Sequence, residues 1–197
     1  MKIIKLEKVD STNNYVKKLL AATRPAGADR LPLAVTAREQ FAGRGRYGNS
    51  FHSPVGGLYL SYAFSANYDL ETLEKVTTVA AAIVHSTLSE YSSDLYIKPV
   101  NDIYLDNRKI CGILTERVDE INLSSYYIIV GIGINIFPNN VPADLSDTIG
   151  FLLDSAGDTA IIDNLADKLA DALDSVFGSG STVEFSALNN YYQKHCR

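Results

Sequence analysis

The glycine- and arginine-rich segment 43–54, which reads GRGRYGNSFHSP, constrains the fold of this chain more than any other feature. Its first six residues hold three glycines and two arginines. Glycine adopts positive φ angles and lets the backbone approach a ligand closely, and arginine offers a planar fork of donors to phosphate or carboxylate. A strand-like run at 33–37 precedes the segment. These residues favour a loop that closes over an anion, although an exposed turn would explain the same letters.

The order of apolar runs along the chain predicts an α+β fold. Short alternating or β-branched runs predict strands, and longer runs with three- and four-residue spacing predict helices. We expect a half-buried strand at 57–64 and a hairpin turn at 122–125. The other predicted strands cover 3–6, 33–37, 94–98, 103–106, 110–118 and 126–136, and the predicted helices cover 11–22, 70–91, 161–177 and 182–194. The result is one domain over 1–197, with a mixed, largely antiparallel sheet and helices packed mainly on one face.

Composition narrows the classes of function. The hydrophobic content of 46% predicts a folded core, and the formal net charge of −5 argues against a DNA-binding protein. The amino-terminal residues lack the apolar core of a signal peptide, and no apolar run is long enough to span a membrane. Cys111 and Cys196 lie far apart, outside any metal-type pair. We therefore expect a reduced, cytoplasmic protein that acts on a small anionic ligand.

A second segment, at 98–116, places polar residues around a predicted hairpin. Asn101 and Asp102 start one strand, and Lys109 starts the next. The hairpin would bring these side chains close together, where Asp102 could hold Mg²⁺ and Lys109 could hold a phosphoryl or carboxylate oxygen. A solvated turn is the alternative reading.

The third segment, VGIGINI at 130–136, reads as a strand with Gly131, Gly133 and Asn135 on one face. The two glycines would leave a floor free of side chains, on which a flat ligand could lie. A strand packed tightly under a helix would need the same glycines.

Taken together and in order, Ser11-Thr12-Asn13 and the segments 40–54, 98–116 and 131–136 resemble the biotin–protein ligases over nearly the whole chain. The resemblance implies the catalytic fold shared with biotin–lipoate ligases and class II aminoacyl-tRNA synthetases. It implies adenylation of biotin with ATP and Mg²⁺, then transfer to a lysine of a biotin carboxyl carrier protein of acetyl-CoA carboxylase or another biotin-dependent carboxylase. It also makes a homodimer plausible.

The same resemblance assigns site residues by position. Lys109 and Arg46 would be catalytic, and Asp102 would be a Mg²⁺ ligand. The residues expected to bind biotin are Ser11, Thr12, Asn13, Gln40, Gly43, Arg44, Arg46, Lys109, Gly112, Leu114, Gly131 and Gly133. Those expected to bind ATP are Arg46, Phe51, Asn101, Asp102, Lys109 and Asn135.

The chain departs from the family pattern at several points. Lys98-Pro99-Val100 stands where the family commonly has Lys-Trp-Pro, Phe51 replaces a tryptophan, and Asn49 replaces an arginine. We expect neither a DNA-binding helix-turn-helix nor the small SH3-like domain that follows the catalytic domain in many relatives. Two alternatives remain open at this point: a lipoate or octanoate ligase or transferase, and a biotin-binding protein with weak activity.

Overall fold

The computed structural model describes residues 3–22, 31–66, 71–119, 126–138, 141–155, 157–178 and 185–197. Its strands are Ile3–Val9 (β1), Leu33–Gln40 (β2), Gly57–Ala66 (β3), Tyr96–Lys98 (β4), Asp102–Leu105 (β5), Arg108–Asp119 (β6) and Tyr126–Asn135 (β7). Its α-helices are Thr12–Ala22 (α1), Glu71–Leu88 (α2), Ala160–Phe177 (α3) and Phe185–His195 (α4). The turn predicted at 122–125 and the helix start predicted at 182 lie outside the described residues.

The strands form a seven-stranded sheet in the order β1-β2-β3-β7-β6-β5-β4. Strands β1 and β2 run parallel, with α1 as the connection between them, and the other neighbours run antiparallel. This confirms the predicted α+β fold with a mixed, largely antiparallel sheet.

The sheet has two unequal faces. Helices α2, α3 and α4 cover one face and share a large apolar core with it. Helix α1 packs on the opposite face, where Val16 and Leu20 meet Val35, Ala63 and Ile129 in a much smaller core. Because α1 covers only part of its face, the rest of that face is available for a binding site.

The strand predicted at 57–64 is present, but the prediction that it is half-buried was wrong, because both of its faces are buried. Leu58 and Leu60 face the large core, as the alternation predicts, but Tyr59, Ser61 and Ala63 on the other face are also buried. The physical reason is that β3 lies in the middle of the sheet, under α1 and the loop that follows β2. The Tyr59 hydroxyl donates a hydrogen bond to the carbonyl oxygen of Pro54 in that loop, at 2.6 Å.

An ion-pair cluster joins β1 and β2 to α3. Asp163 of α3 lies 3.0 Å from Nζ of Lys5 and 2.8 Å from Nη2 of Arg38. The hydrogen bond from Lys5 lowers the pKa of the Asp163 carboxyl, and Arg38 adds to this effect. Arg38 thus has a structural role in this ion pair and does not belong to the anion-binding loop.

No helix among the described residues is long and apolar enough to cross a membrane.

A buried histidine joins α2 to α4 and makes the fold sensitive to acid. The His85 ring lies 3.1 Å from the Tyr191 hydroxyl and 3.1 Å from the carbonyl oxygen of Leu95, and its centroid is 4.8 Å from the His195 ring. Desolvation lowers the pKa of His85 from its ordinary 6.5, and the charge of His195 adds to the shift.

At a pH just below 6.5, His85 is therefore protonated in the unfolded chain but stays neutral in the folded chain. The stabilising contribution is complete above pH 6.5 and is lost as the pH falls from there through the lowered folded pKa. We expect urea unfolding to show a free energy that decreases below pH 6.5, and a smaller decrease for His85→Gln. Equal acid slopes in both proteins would contradict this assignment.

Candidate active site

A cleft of about 250 Å³ opens on the face of the sheet that carries α1. The start of α1, the loop after β2, the β5–β6 hairpin and the middle of β7 line it. It brings together most of the predicted site residues: Ser11, Thr12, Asn13, Gln40, Arg44, Arg46, Phe51, Asn101, Asp102, Lys109, Gly112, Leu114, Gly131 and Gly133. The predicted residues Gly43 and Asn135 are not part of this lining.

One end of the cleft is built from neutral hydrogen-bonding groups. The Thr12 backbone N–H donates to Oε1 of Gln40 at 2.8 Å, and Thr12 Oγ1 lies 3.1 Å from the same oxygen. Nε2 of Gln40 donates to Oγ of Ser53 at 2.9 Å, and Ser53 donates to the carbonyl oxygen of Phe51 at 2.9 Å. These bonds hold the Gln40 amide in one orientation, between α1 and the loop.

The polar network continues under α1. Oγ of the fully buried Ser61 lies 2.7 Å from Oγ1 of Thr12 and 2.5 Å from Oδ1 of Asn13. Nδ2 of Asn13 donates to Oε2 of Glu116 at 2.9 Å, and Lys17 lies 2.7 Å from the other carboxylate oxygen. A continuous chain of polar contacts therefore runs from the surface of β6 to the cleft.

Sequence reasoning missed Ser53, Ser61 and Glu116. A signal was present for Ser61, since it is a polar residue within a strand of mostly apolar residues, but Glu116 lies in a strand with many polar residues and had none. Alternation alone shows which face such a residue takes, and it does not show which polar group it meets there.

The glycine floor exists, but two side chains lie on it. Gly133 pairs with Gly112 across β6 and β7. A Cβ atom at Gly133 would lie 2.6 Å from the Phe51 ring, and one at Gly131 would lie 2.4 Å from Oδ1 of Asn13. The expectation of a bare floor is therefore corrected: the glycines make room for Phe51 and Asn13 here. The slot beside them forms part of the cleft.

The loop after β2 folds back on itself. The Phe51 N–H donates to the carbonyl oxygen of Gly43 at 2.9 Å, and the Gly45 N–H donates to that of Asn49 at 2.7 Å. A Cβ atom at Gly43 would lie 2.4 Å from the carbonyl oxygen of Phe51. Gly43 is thus required by a close approach between backbone segments, and it supports the loop from behind the cleft.

Gly131→Ala should destabilise the free protein, because its Cβ would displace the Asn13 amide from a buried network. Crowding of this kind costs about 1–3 kcal/mol in the free energy of unfolding, measured by urea denaturation. Gly45→Ala is the matched control, since its Cβ would meet nothing closer than 3.5 Å. If both variants unfold at the same urea concentration, the close approach at Gly131 does not exist in solution.

The opposite end of the cleft is cationic. Nζ of Lys109 lies 2.7 Å from Oδ1 of Asp102 and 5.8 Å from the Phe51 ring centroid. Arg46 faces the same space from the loop, whereas Arg44 lines the cleft nearer to α1, with Nη1 3.4 Å from Oδ1 of Asn14. One carboxylate against two cations leaves an excess of positive charge, and such a site attracts anions.

The β5–β6 hairpin positions the groups at this end, as the sequence predicts. Asp102 of β5 pairs with Gly112 of β6, which sets Asp102 beside Lys109. Asn101 donates from Nδ2 to the carbonyl oxygen of Ile113 at 2.8 Å, and its Oδ1 accepts a hydrogen bond from Nη1 of Arg46 at 3.2 Å. Asn101 thus connects the loop arginine to the sheet.

Two predicted groups have other surroundings than expected. Asn135 is buried, and its Nδ2 donates to the backbone carbonyl oxygen of Lys109 at 3.4 Å, so it supports Lys109 from below the cleft. Asp102 forms an ion pair with Lys109.

The described residues contain no group of three or more histidine, cysteine, aspartate or glutamate side chains able to hold a metal ion. Burial raises the pKa of the Cys111 thiol, which therefore is not a thiolate nucleophile.

The seven-stranded sheet with its helices has a counterpart among solved structures. The structure of biotin protein ligase from Aquifex aeolicus in complex with biotin and ATP has the same fold, with a TM-score of 0.71 and 24% sequence identity. That match covers 99% of this chain and 78% of the other.

The sequence comparison is more specific. The model of the Biotin/lipoate A/B protein ligase family matches residues 6–135, and the chain belongs to this family. The bifunctional ligase/repressor BirA of Bacillus subtilis is 32% identical over 153 residues, which cover 76% of this chain and 46% of BirA. The biotin–[acetyl-CoA-carboxylase] ligase of Paracoccus denitrificans is 32% identical over 129 residues, which cover 60% and 53%. The chain thus spans about half the length of these curated relatives.

Proposed function

We propose that this chain is an ATP-dependent biotin–protein ligase. It would join biotin to the AMP part of ATP with release of pyrophosphate, and then transfer biotin to a lysine of a biotin carboxyl carrier protein with release of AMP. The observation that carries the proposal is the division of one cleft into a hydrogen-bonding end at Thr12 and Gln40 and a cationic end at Lys109 and Arg46. Biotin has the same division, with a polar ureido ring at one end and a carboxylate at the other.

The proposed binding mode follows from this match. The ureido ring would lie against Thr12 and Gln40, and the chain with the carboxylate would run along the glycines of β6 and β7 towards Lys109. The Phe51 ring would pack along the side of that path, because it lies over Gly133. ATP would bind beside Asn101 and Arg46, with its α-phosphate near Lys109.

The first chemical step needs charge neutralisation rather than a proton acceptor. Biotin's carboxylate is already ionised at neutral pH, so it attacks the α-phosphorus without a general base. Two anions must meet, and Lys109 and Arg46 would stabilise both, together with the charge that develops on the leaving pyrophosphate. The described lining of the cleft contains no histidine or cysteine, which agrees with a reaction of this kind.

Magnesium fits this site as an ion brought by the nucleotide. Mg²⁺ commonly binds to proteins through one or two carboxylates and to the phosphates of its substrate. Asp102 is the carboxylate in the cationic end and would be its protein ligand, adjacent to the Asn101 amide. When bound, the ion would supply further neutralisation of phosphate charge, and Lys109 would then be released from Asp102 towards the reacting groups.

The second step transfers biotin from an intermediate that water can also attack. The proposed biotinyl-5′-AMP is a mixed anhydride, and closing of the 43–54 loop over it would keep water out until the carrier lysine arrives. The carrier domain of acetyl-CoA carboxylase or of another biotin-dependent carboxylase is the proposed partner, and the cytoplasm is the proposed location.

We also propose a homodimer through the outer edge of β1. Within the described part of the chain, β1 has a strand partner on one side only, and residues 196 and 197 cover β4 at the opposite edge of the sheet. Light scattering at several concentrations would test this assembly.

The decisive experiment incubates the protein with biotin, ATP, Mg²⁺ and a biotin carboxyl carrier domain. Mass spectrometry should show one biotin on the carrier, and no biotin on a carrier whose acceptor lysine is arginine. Pyrophosphate release without the carrier measures the first step separately. Lipoate in place of biotin is the matched control for the substrate.

Each alternative gives a different result in this experiment. Transfer of lipoate but not biotin would make the protein a lipoate ligase. Tight biotin binding by calorimetry without pyrophosphate release would make it a biotin-binding protein. Either result would refute the proposed function.

A further inference from the structure

We infer that Tyr192 of α4 is a positioning residue for the nucleotide end of the cleft, because its hydroxyl fixes the hairpin tip that carries Asn101. The tip is the turn 99–101, which joins β4 to β5. Tyr192 is not part of the cleft lining, so it would act through this tip. The inference rests on the proposed function, which places ATP beside Asn101 and Arg46.

The contact with the tip is made by a buried phenol. The Tyr192 side chain is 4% exposed, and its hydroxyl donates a hydrogen bond to the backbone carbonyl oxygen of Val100 at 3.2 Å. A carbonyl oxygen only accepts, so the phenol proton is directed at the tip. Cys196 is hydrogen-bonded to the same hydroxyl, and its thiol can donate to the phenol oxygen without taking that proton.

Helix α4 is itself anchored on either side of Tyr192. The Tyr191 hydroxyl lies 3.1 Å from Nδ1 of His85 in α2. Just after the helix, the Arg197 backbone N–H donates to the carbonyl oxygen of Ile97 in β4 at 3.0 Å. These contacts hold the Tyr192 hydroxyl at a fixed place relative to α2 and β4.

The opposite side of the tip is bonded to β6 and to the loop after β2. The Ile113 N–H donates to the carbonyl oxygen of Asn101 at 2.9 Å, and Nδ2 of Asn101 donates to the carbonyl oxygen of Ile113 at 2.8 Å. Oδ1 of Asn101 accepts a hydrogen bond from Nη1 of Arg46 at 3.2 Å. A displacement of the tip would therefore move Asn101 and, through it, the Arg46 guanidinium.

The tip is also where the chain departs from the family pattern, with Pro99-Val100 in place of Trp-Pro. Proline has no backbone N–H to donate, and the valine side chain makes no hydrogen bond. The support of this tip therefore cannot be carried over from relatives. In this chain, Tyr192 binds the tip on one side and Ile113 binds it on the other.

Loss of the Tyr192 hydroxyl should affect the nucleotide and spare biotin. The tip carries Asn101, beside which ATP would bind, whereas Thr12 and Gln40 lie at the other end of the cleft. Loss of one hydrogen bond typically changes an equilibrium constant by about three- to tenfold. We therefore expect an effect of this size on the use of ATP.

Two tyrosine variants of α4 test the inference. Tyr192→Phe removes the hydroxyl and keeps the ring in the core. Tyr191→Phe is the matched control, because it loses one hydroxyl contact of the same helix, on the side of His85. KM values for ATP and biotin are measured by pyrophosphate release. A loss of folded protein would lower only the apparent kcat, so KM reports on positioning.

Tyr192→Phe should raise KM for ATP about three- to tenfold and leave KM for biotin within about twofold of wild type. Tyr191→Phe should leave both KM values within about twofold, although both variants should unfold at lower urea concentrations than wild type. Equal KM values for ATP in the two variants would overturn the inference.

Hydrogen exchange of the Ile113 amide tests the same support without catalysis. This amide donates to Asn101 in the tip, so by NMR it should exchange about three- to tenfold faster in Tyr192→Phe than in Tyr191→Phe. Equal exchange rates in the two variants would also overturn the inference. Absence of pyrophosphate release by the wild-type protein would instead refute the proposed function, and the exchange rates would still decide whether Tyr192 fixes the tip.

Discussion

Replacing Lys109 with alanine should reduce the rate of pyrophosphate release from biotin and ATP by about 10²–10³-fold, the usual effect of removing one charge-stabilising donor. Lys109 is the cation closest to the carboxylate of Asp102, at 2.7 Å from Nζ to Oδ1. Without it, the biotin carboxylate, the α-phosphate and Asp102 would repel one another. We expect most of the effect on kcat, because the charge develops during the reaction.

The controls for Lys109 separate charge from stability. Lys98→Ala removes an exposed lysine at the end of β4, where Nζ lies over the Tyr104 ring, and should leave the rate unchanged. The double variant K109A with D102N removes the unpaired carboxylate and should restore any lost folding stability without restoring the rate. Pyrophosphate release by Lys109→Ala at more than a third of the wild-type rate would exclude the catalytic role.

Replacing Arg46 with methionine should lower the same rate by about 10²-fold, the lower part of that range, because Arg46 already shares its charge with neighbours. Its Nη1 donates to Asn101 at 3.2 Å and its Nη2 donates to the Tyr47 hydroxyl at 3.0 Å. We expect KM for ATP to rise and kcat to fall, since the guanidinium would contact phosphate both before and during the reaction.

Two variants sharpen the prediction for Arg46. Arg46→Lys keeps the charge but loses the planar fork, so it should recover only part of the rate. Arg117→Met removes an arginine on β6 that stacks on Tyr126 and should have no effect on the reaction. If Arg46→Met and Arg117→Met behave alike in pyrophosphate release, Arg46 does not take part in the chemistry.

Much of the fold could be predicted from local patterns. Strand alternation and helix spacing are properties of neighbouring residues, and they locate β3, β6, β7, α1 and α3 within a few residues of the observed bounds. The pairing of Asp102 with Lys109 was also accessible, because a hairpin between two short strands allows few registers. The order of the strands in the sheet was not, since it depends on contacts between distant segments.

The limits of prediction are clearest at the glycine floor. The pattern at Gly131 and Gly133 shows that a side chain is excluded, but it does not show what takes the space. Phe51 lies on Gly133 because the loop after β2 folds back through Gly43, and Asn13 lies on Gly131 because α1 begins there. Burial of β3 on both faces has the same origin, in segments that meet only after folding.

Helix α1 connects the cleft to the smaller of the two apolar cores. Its first residues, Thr12 and Asn13, face the cleft, while Val16 and Leu20 farther along belong to the minor core. Segments held by few apolar contacts open locally before the rest of a protein unfolds. A ligand bound to Thr12 would oppose local opening of α1. By thermodynamic linkage, a substitution at Leu20 that makes opening easier would lower the affinity for that ligand, although Leu20 does not contact it.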